Sequence, residues 1–414
     1  MGRTKTKKQA SSKVLESSST AAASPSPSID SLLQKSQSLI IQCDYTLAAR
    51  FIHRVLDQKP SNPHLAQAKE MLGVVQLELG DVEDAKQTFQ TLLPPHPDAP
   101  DPPPPSAHLF LAQLNDDDPQ LALKHYQAAV ELLSAQLSQL ESNESNEVGI
   151  DGNNGSAVDE EQTELKHNIV RALIGQVEIW MDPAYDLCFD PSAPETCESL
   201  LNSALQLSPN NSEALQTLAS VRMSQQRPED AKACLELAWK GWKDLDLDSP
   251  HIPPLPSRLT LVKLFLELSL YSPALQVLHG IMASDDEEVE AWYLEGWCYY
   301  MMAEEVKAKE SGTGATDERS IGKETETATL DADFDGMTWE ELAKDARDRL
   351  ETCQMLHIHQ EHPDKPLLEH VQELIRGLEG MGIQASPPGE DEDDDDEWVD
   401  GEDESDEDGD VEMS

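Results

Sequence analysis

Positive charge is scarce in this chain: 30 Lys and Arg stand against 80 Asp and Glu over 414 residues, a formal net charge of −50. A chain this acidic repels phosphate backbones and anionic lipid surfaces, so direct nucleic-acid and membrane binding are not expected and basic partners are. Long apolar runs are missing too; none approaches the roughly 20 residues a membrane-spanning helix needs. Cysteine is sparse and scattered (Cys43, Cys188, Cys197, Cys234, Cys298, Cys353), with no Cys-x-x-Cys spacing. That excludes a disulfide framework and a zinc ribbon, and fits a reducing compartment, cytoplasm or nucleus. The start, MGRTKTKKQA, is polar and unlike a secretory leader.

Catalytic signatures are absent as well. There is no G-x-S-x-G, no phosphate-binding loop and no dinucleotide fingerprint, so the chain is read as a non-enzyme with no catalytic, cofactor-binding or metal-ligating residues. Two stretches come near a metal site and fall short. Asp331, Asp333, Asp335 and Gly336 in DADFDGMTWEEL imitate the first half of an EF-hand loop, but the twelfth position, where a bidentate Glu is required, is Leu342. Trp339 and Leu342 are read instead as the start of a helix. His357, His359 and His362 lie close in sequence, yet helical residues two apart point to different faces. They are expected as exposed histidines at a helix end.

What the chain does have begins with its ends. Residues 1–28 are rich in Ser, Ala, Lys and Pro, with Arg3, Lys5, Lys7, Lys8 and Lys13 before the first acid, Glu16. This reads as a disordered basic arm. Residues 383–414 read as a disordered acidic tail: between Glu390 and Ser414 there are 17 Asp and Glu and no Lys or Arg. Residues 1–389 still carry −33, so acidity belongs to the body of the protein as well.

Between the ends, apolar residues recur at helical spacing and strand-like alternation is almost absent. Pro- and Asn-rich stops fall at LDQKPSNP, PPHPDAPDPPPP and SPNNS, and polar insertions near 141–163 and 306–336 are expected as loops. Aligning the helices on small residues exposes a period. Gly73 is followed by Ala85 twelve residues later, then Phe89, Leu92 and Pro97. The same spacing recurs at Ala219, Ala231, Leu235 and Ala238. Partial copies lie at Ala48, Ile52 and Val55; at Ala122, Tyr126 and Ala129; at Gly175, Cys197, Leu201 and Ala204; and at Val262, Ala274, Leu278 and Ile281. A last copy, opened by Trp292, Gly296 and Tyr299, resumes after the insertion at Ala346, Leu350 and Cys353. The small residue lets two antiparallel helices approach, and the large one fills the space beside it. This pattern resembles the tetratricopeptide repeat (TPR). It predicts an all-α, right-handed superhelical solenoid of about seven irregular helix pairs over residues 29–382, capped by a helix over 366–382.

In TPR solenoids the first helix of each pair lines a concave groove. Projecting its inward positions from the small-residue anchors selects Glu70, Val74, Leu77 and Glu78; Gln176 and Trp180; Glu213 and Gln216; Lys263 and Glu267; and Glu290, Tyr293, Trp297 and Tyr300. Acids beside aromatics suit a peptide rich in Lys and Arg. The competing reading is that the aromatics pack between repeats and the acids form a solvated face. TPR co-chaperones of the heat-shock chaperones hold an acidic peptide with Lys, Arg and Asn, so a groove of the opposite sign disfavours that assignment.

A basic polar start, seven irregular pairs and an acidic tail containing DDDEWVD together resemble a fungal TPR family, the dedicated assembly chaperones of large-subunit ribosomal protein four. The resemblance implies a client, that ribosomal protein, whose long basic internal loop is held in the groove until it joins the pre-ribosome. It also implies contact with nuclear import machinery through the client. An escort for another basic client, a histone or a different ribosomal protein, is the alternative.

Overall fold

The computed structural model describes residues 27–59, 62–146, 155–310 and 337–384. The basic arm before residue 27, the tail after residue 384 and the Asp331–Gly336 stretch lie outside them. The chain divides into two compact units, Met1–Pro209 and Asn210–Ser414. Among the described residues all regular structure is helical: seven antiparallel pairs of α-helices, one further α-helix, and a short 3-10 helix at Asp186–Phe189.

The first unit holds four pairs: α1 (Ile29–Ile41) with α2 (Tyr45–Asp57), α3 (Asn62–Glu78) with α4 (Val82–Gln90), α5 (Pro105–Gln113) with α6 (Pro119–Asn146), and α7 (Gly155–Met181) with α8 (Ala193–Leu207). The second holds α9 (Ser212–Ser224) with α10 (Pro228–Lys240), α11 (Leu255–Glu267) with α12 (Tyr271–Met282), α13 (Val289–Glu310) with α14 (Trp339–His359), and then α15 (Lys365–Gly380). Both expected insertions are narrower than the polar composition suggested. Helix α6 continues to Asn146 and α7 begins at Gly155, while α13 runs on to Glu310. Polar residues need no loop when a helix can display them to solvent.

The repeat logic holds in the packing. All the second-helix anchors are buried, among them Ala48, Ile52, Val55, Ala85, Phe89, Ala231, Leu235, Ala274, Leu278, Ala346 and Leu350. A Cβ on Gly73 would lie 2.5 Å from the Phe89 ring, and one on Gly296 would lie 2.7 Å from Leu350 Cγ. Both glycines therefore admit the large residue of their own pair. Gly175 differs: its Cβ would meet Tyr126 at 2.7 Å, so it admits the second helix of the preceding pair rather than its own partner. Long α6 and α7 pack on each other, which brings Tyr126 to that position.

Four pairs turn in the same way. Cys43, Gly80, Gln226 and Ser269 all take positive φ, between 50° and 85°. In each turn the next residue's N–H reaches back five residues, as in Asp44 to Leu39, Asp81 to Gln76, Arg227 to Arg222 and Leu270 to Phe265, at 2.8–2.9 Å. This is the Schellman closure, which satisfies the last carbonyls of the first helix. Side-chain caps start α2, α9 and α14. Asp44 accepts from the Leu47 N–H, Asn211 from the Ala214 N–H, and Thr338 forms a reciprocal capping box with Glu341.

Candidate functional site

In the second unit the first helices pack in sequence: α9 on α11, α11 on α13, and α13 on α15. Each contact in that layer uses residues projected onto the groove. Gln216 is buried, and its amide donates to Ser212 Oγ at 2.9 Å and to Ser257 Oγ at 3.2 Å, joining α9 to α11. Lys263 Nζ lies 2.6 Å from Glu290 Oε1, joining α11 to α13. The Tyr293 hydroxyl lies 2.8 Å from His370 Nδ1, and the Trp297 ring meets the His370 ring edge-on at 5.7 Å, joining α13 to α15. Tyr293 and Trp297 stack at 5.7 Å, and Tyr300 lies close to Gly377 of α15. Burial pushes the Tyr293 hydroxyl up to about 12 and also raises that of Tyr300. Glu213 is half-buried and Glu267 is exposed.

In the first unit the projected residues divide. Glu78 is exposed. Glu70 is half-buried; burial raises its carboxyl above the usual carboxylate range, and the nearby Ser106 hydroxyl opposes that rise. Val74 and Leu77 are half-buried. They pack on the apolar cluster of Ala85, Phe89, Leu92, Leu93, Ala107 and Leu111 that joins pairs two and three. Gln176 is buried, bonded to the Ala172 carbonyl at 3.3 Å, and Trp180 is half-buried. A spacing projection treats every inward position alike, whereas in the structure Gln176 and Gln216 are buried, Glu70, Glu213 and Glu290 are half-buried, and only Glu78, Lys263 and Glu267 are exposed.

The structure adds charged groups that the sequence reading passed over. Glu295 on α13 is wholly buried, with Oε1 at 3.2 Å from His279 Nε2 on α12 and Oε2 at 3.2 Å from Arg349 Nε on α14. The Arg349 contact is an ion pair without hydrogen-bond alignment. Burial, then Glu295 itself, raises the Cys298 thiol and pushes the Tyr299 hydroxyl up to about 12. Arg347 fastens α14 to the last helix through Glu379 Oε1 at 3.0 Å and the Ile383 carbonyl at 2.6 Å. A carboxylate directly before the anchor Gly296 was the available signal for Glu295. His357 is buried rather than exposed, because its Nε2 meets the Asp364 carbonyl at 2.7 Å and its ring packs on His362. Among the described residues no group of three or more His, Cys, Asp or Glu is arranged to hold a metal ion, and no helix is long and apolar enough to cross a membrane.

The chain's relatives agree with this architecture. A tetratricopeptide-repeat family model matches residues 39–114 and 194–240. A protein of Emericella nidulans named as a probable assembly chaperone of rpl4 is 35% identical over 190 residues, 46% of either chain. Its namesake in Schizosaccharomyces pombe is 30% identical over 351 residues, covering 83% of this chain and 88% of that one. Among solved structures, the assembly chaperone of RpL4 (Acl4), residues 1–338, superposes with a TM-score of 0.59 at 28% identity, covering 69% of this chain and all of that one. Seven TPR-like pairs and similarity along most of its length place this chain in the family of assembly chaperones of Rpl4.

Proposed function

We propose that this chain is a dedicated chaperone of Rpl4, a binding protein and not an enzyme, which holds a basic segment of its client against the carboxylates of its first helices. The observation that carries the reading is family membership along most of the chain, joined to a net charge opposite to that of a ribosomal protein. A ribosomal-protein extension rich in Lys and Arg binds any RNA it meets. Carboxylates of each unit, exposed Glu78 and half-buried Glu70 in the first and exposed Glu267 and half-buried Glu213 in the second, offer a weaker, reversible counter-charge, and ribosomal RNA then takes the client by presenting denser negative charge. The segment held is the long internal loop of the client. The work is done in cytoplasm and nucleus, with import machinery and pre-ribosome reached through the client and with no direct nucleic-acid or membrane contact. The acidic tail adds to the rate of capture rather than to specificity.

Titration of the full chain with purified Rpl4 tests this. Affinity falls steadily as salt rises, and Glu70→Lys, Glu78→Lys and Glu267→Lys combined lower it by about tenfold or more at low salt. Salt-independent binding, or full capture by the triple variant, overturns the carboxylate face. Failure of the unaltered chain to bind Rpl4 overturns the client.

A further inference from the structure

One cation is already seated on the face read as the client site. Lys263 is the one basic residue among the positions projected onto it, and its ammonium lies 2.6 Å from the Glu290 carboxylate of the next first helix. Both side chains remain accessible, Lys263 at 48% and Glu290 at 30%. An ion pair this open contributes little to stability, so an incoming cation can replace one partner at small cost. Glu290 opens α13, with Tyr293 three residues on and Trp297 seven on, so a carboxylate and two stacked rings share one face of that helix. The two rings already pack on His370 of α15, so the carboxylate, rather than an open ring face, is the group offered to a lysine or arginine side chain.

We infer that Glu290 is a binding point for a lysine or arginine of the client and that Lys263 is its built-in stand-in, occupying the carboxylate until the client displaces it. The inference rests on the proposed carboxylate face and adds to it an internal competitor. Each client cation that reaches Glu290 must first free it from Lys263, whose own positive charge also opposes the approach. The result is a deliberately weakened contact, which suits a chaperone that must later yield its client to RNA.

A double-mutant cycle reads this out. The full chain and its Lys263→Met, Glu290→Gln and doubly substituted variants are titrated with purified Rpl4 by calorimetry, and with poly-L-lysine as a second probe that needs only carboxylates. Methionine keeps the apolar stem of Lys263, and circular dichroism checks the helical content of each variant. Lys263→Met should bind both probes about two- to fivefold tighter, Glu290→Gln should bind them more weakly, and Lys263→Met should give no gain in the Glu290→Gln background. Unchanged or weaker binding by Lys263→Met overturns the inference. A gain that survives in the Glu290→Gln background also overturns it, because general charge removal then accounts for the effect. If the unaltered chain fails to bind Rpl4 but the cycle holds with poly-L-lysine, the client reading fails while the site stands.

Discussion

The second and seventh helix pairs solve the same packing problem by different means. In both, a glycine on the first helix admits a large side chain from the second, Phe89 to Gly73 and Leu350 to Gly296. Pair two then relies on apolar packing: Phe89, Leu92 and Ala85 are fully buried, and Phe89 stacks on Phe110 of the next pair at 4.6 Å. Pair seven adds the buried Glu295 between His279 and Arg349, and Arg347 on the far side of α14. The connections differ as well. Residues 79–81 join α3 to α4, whereas residues 311–338 separate α13 from α14. In pair seven the buried Glu295 also links α13 to α12 through His279 and to α14 through Arg349.

Breaking each pair at its own support sharpens that contrast. The largest effect is expected from Phe89→Ala, which leaves a cavity beside Gly73 and should cost about 4 kcal/mol. Amides of α3–α5 should lose hydrogen-exchange protection while those of α13 and α14 keep theirs; uniform loss across both units would contradict a local apolar core. Next comes Arg349→Met, at about 3 kcal/mol, because it strands the buried Glu295 carboxylate with only His279 beside it. Glu295→Met should stay within about 1 kcal/mol of the unaltered chain, since Arg349 and His279 are then left facing water. Chemical denaturation followed by exchange in α13 and α14 reads the pair of variants, and equal costs for the two would show that Glu295 is not acting as a desolvated charge.

The smallest effect is a pH dependence confined to pair three. His108 and His125 meet at 3.0 Å between their Nδ1 atoms. Burial holds both below the usual histidine value of 6.5, and for His108 the neighbouring His125 adds to the effect. The unfolded chain therefore takes up protons first as pH falls below about 6.5, so stability present above that pH is lost below it. Protection of α5 and α6 amides should be lower at pH 5.5 than at pH 7.5, and His108→Gln with His125→Gln should flatten the difference. An unchanged slope in that double variant would place the titration elsewhere.

The seven pairs were legible because they rest on spacing: one small residue and one large residue per pair leave a record in a single chain. The turns were legible only at Gly80. Cys43, Gln226 and Ser269 adopt the same left-handed conformation without the residue that advertises it, because the closing hydrogen bonds offset the strain of a Cβ there. Gly175 was recognised as a packing glycine and assigned to the wrong neighbour, since sequence spacing cannot tell a partner within the pair from one in the pair before. The candidate face was legible as a set of acids and rings. Its division into a buried Gln216, Val74 and Leu77 half-buried against the Phe89 cluster, Tyr293 and Trp297 against α15, and Glu78 and Glu267 exposed was not.

The sequence alone determined that this protein is helical, repetitive and strongly acidic, and therefore suited to a basic partner. Periodicity and net charge are properties of the chain that survive any arrangement of its helices. Tertiary structure alone decided which carboxylates face solvent, that Lys263 already occupies Glu290, and that Glu295 is buried between His279 and Arg349. Those facts depend on which helices become neighbours, and a local pattern of small and large residues carries no address for a neighbour several helices away.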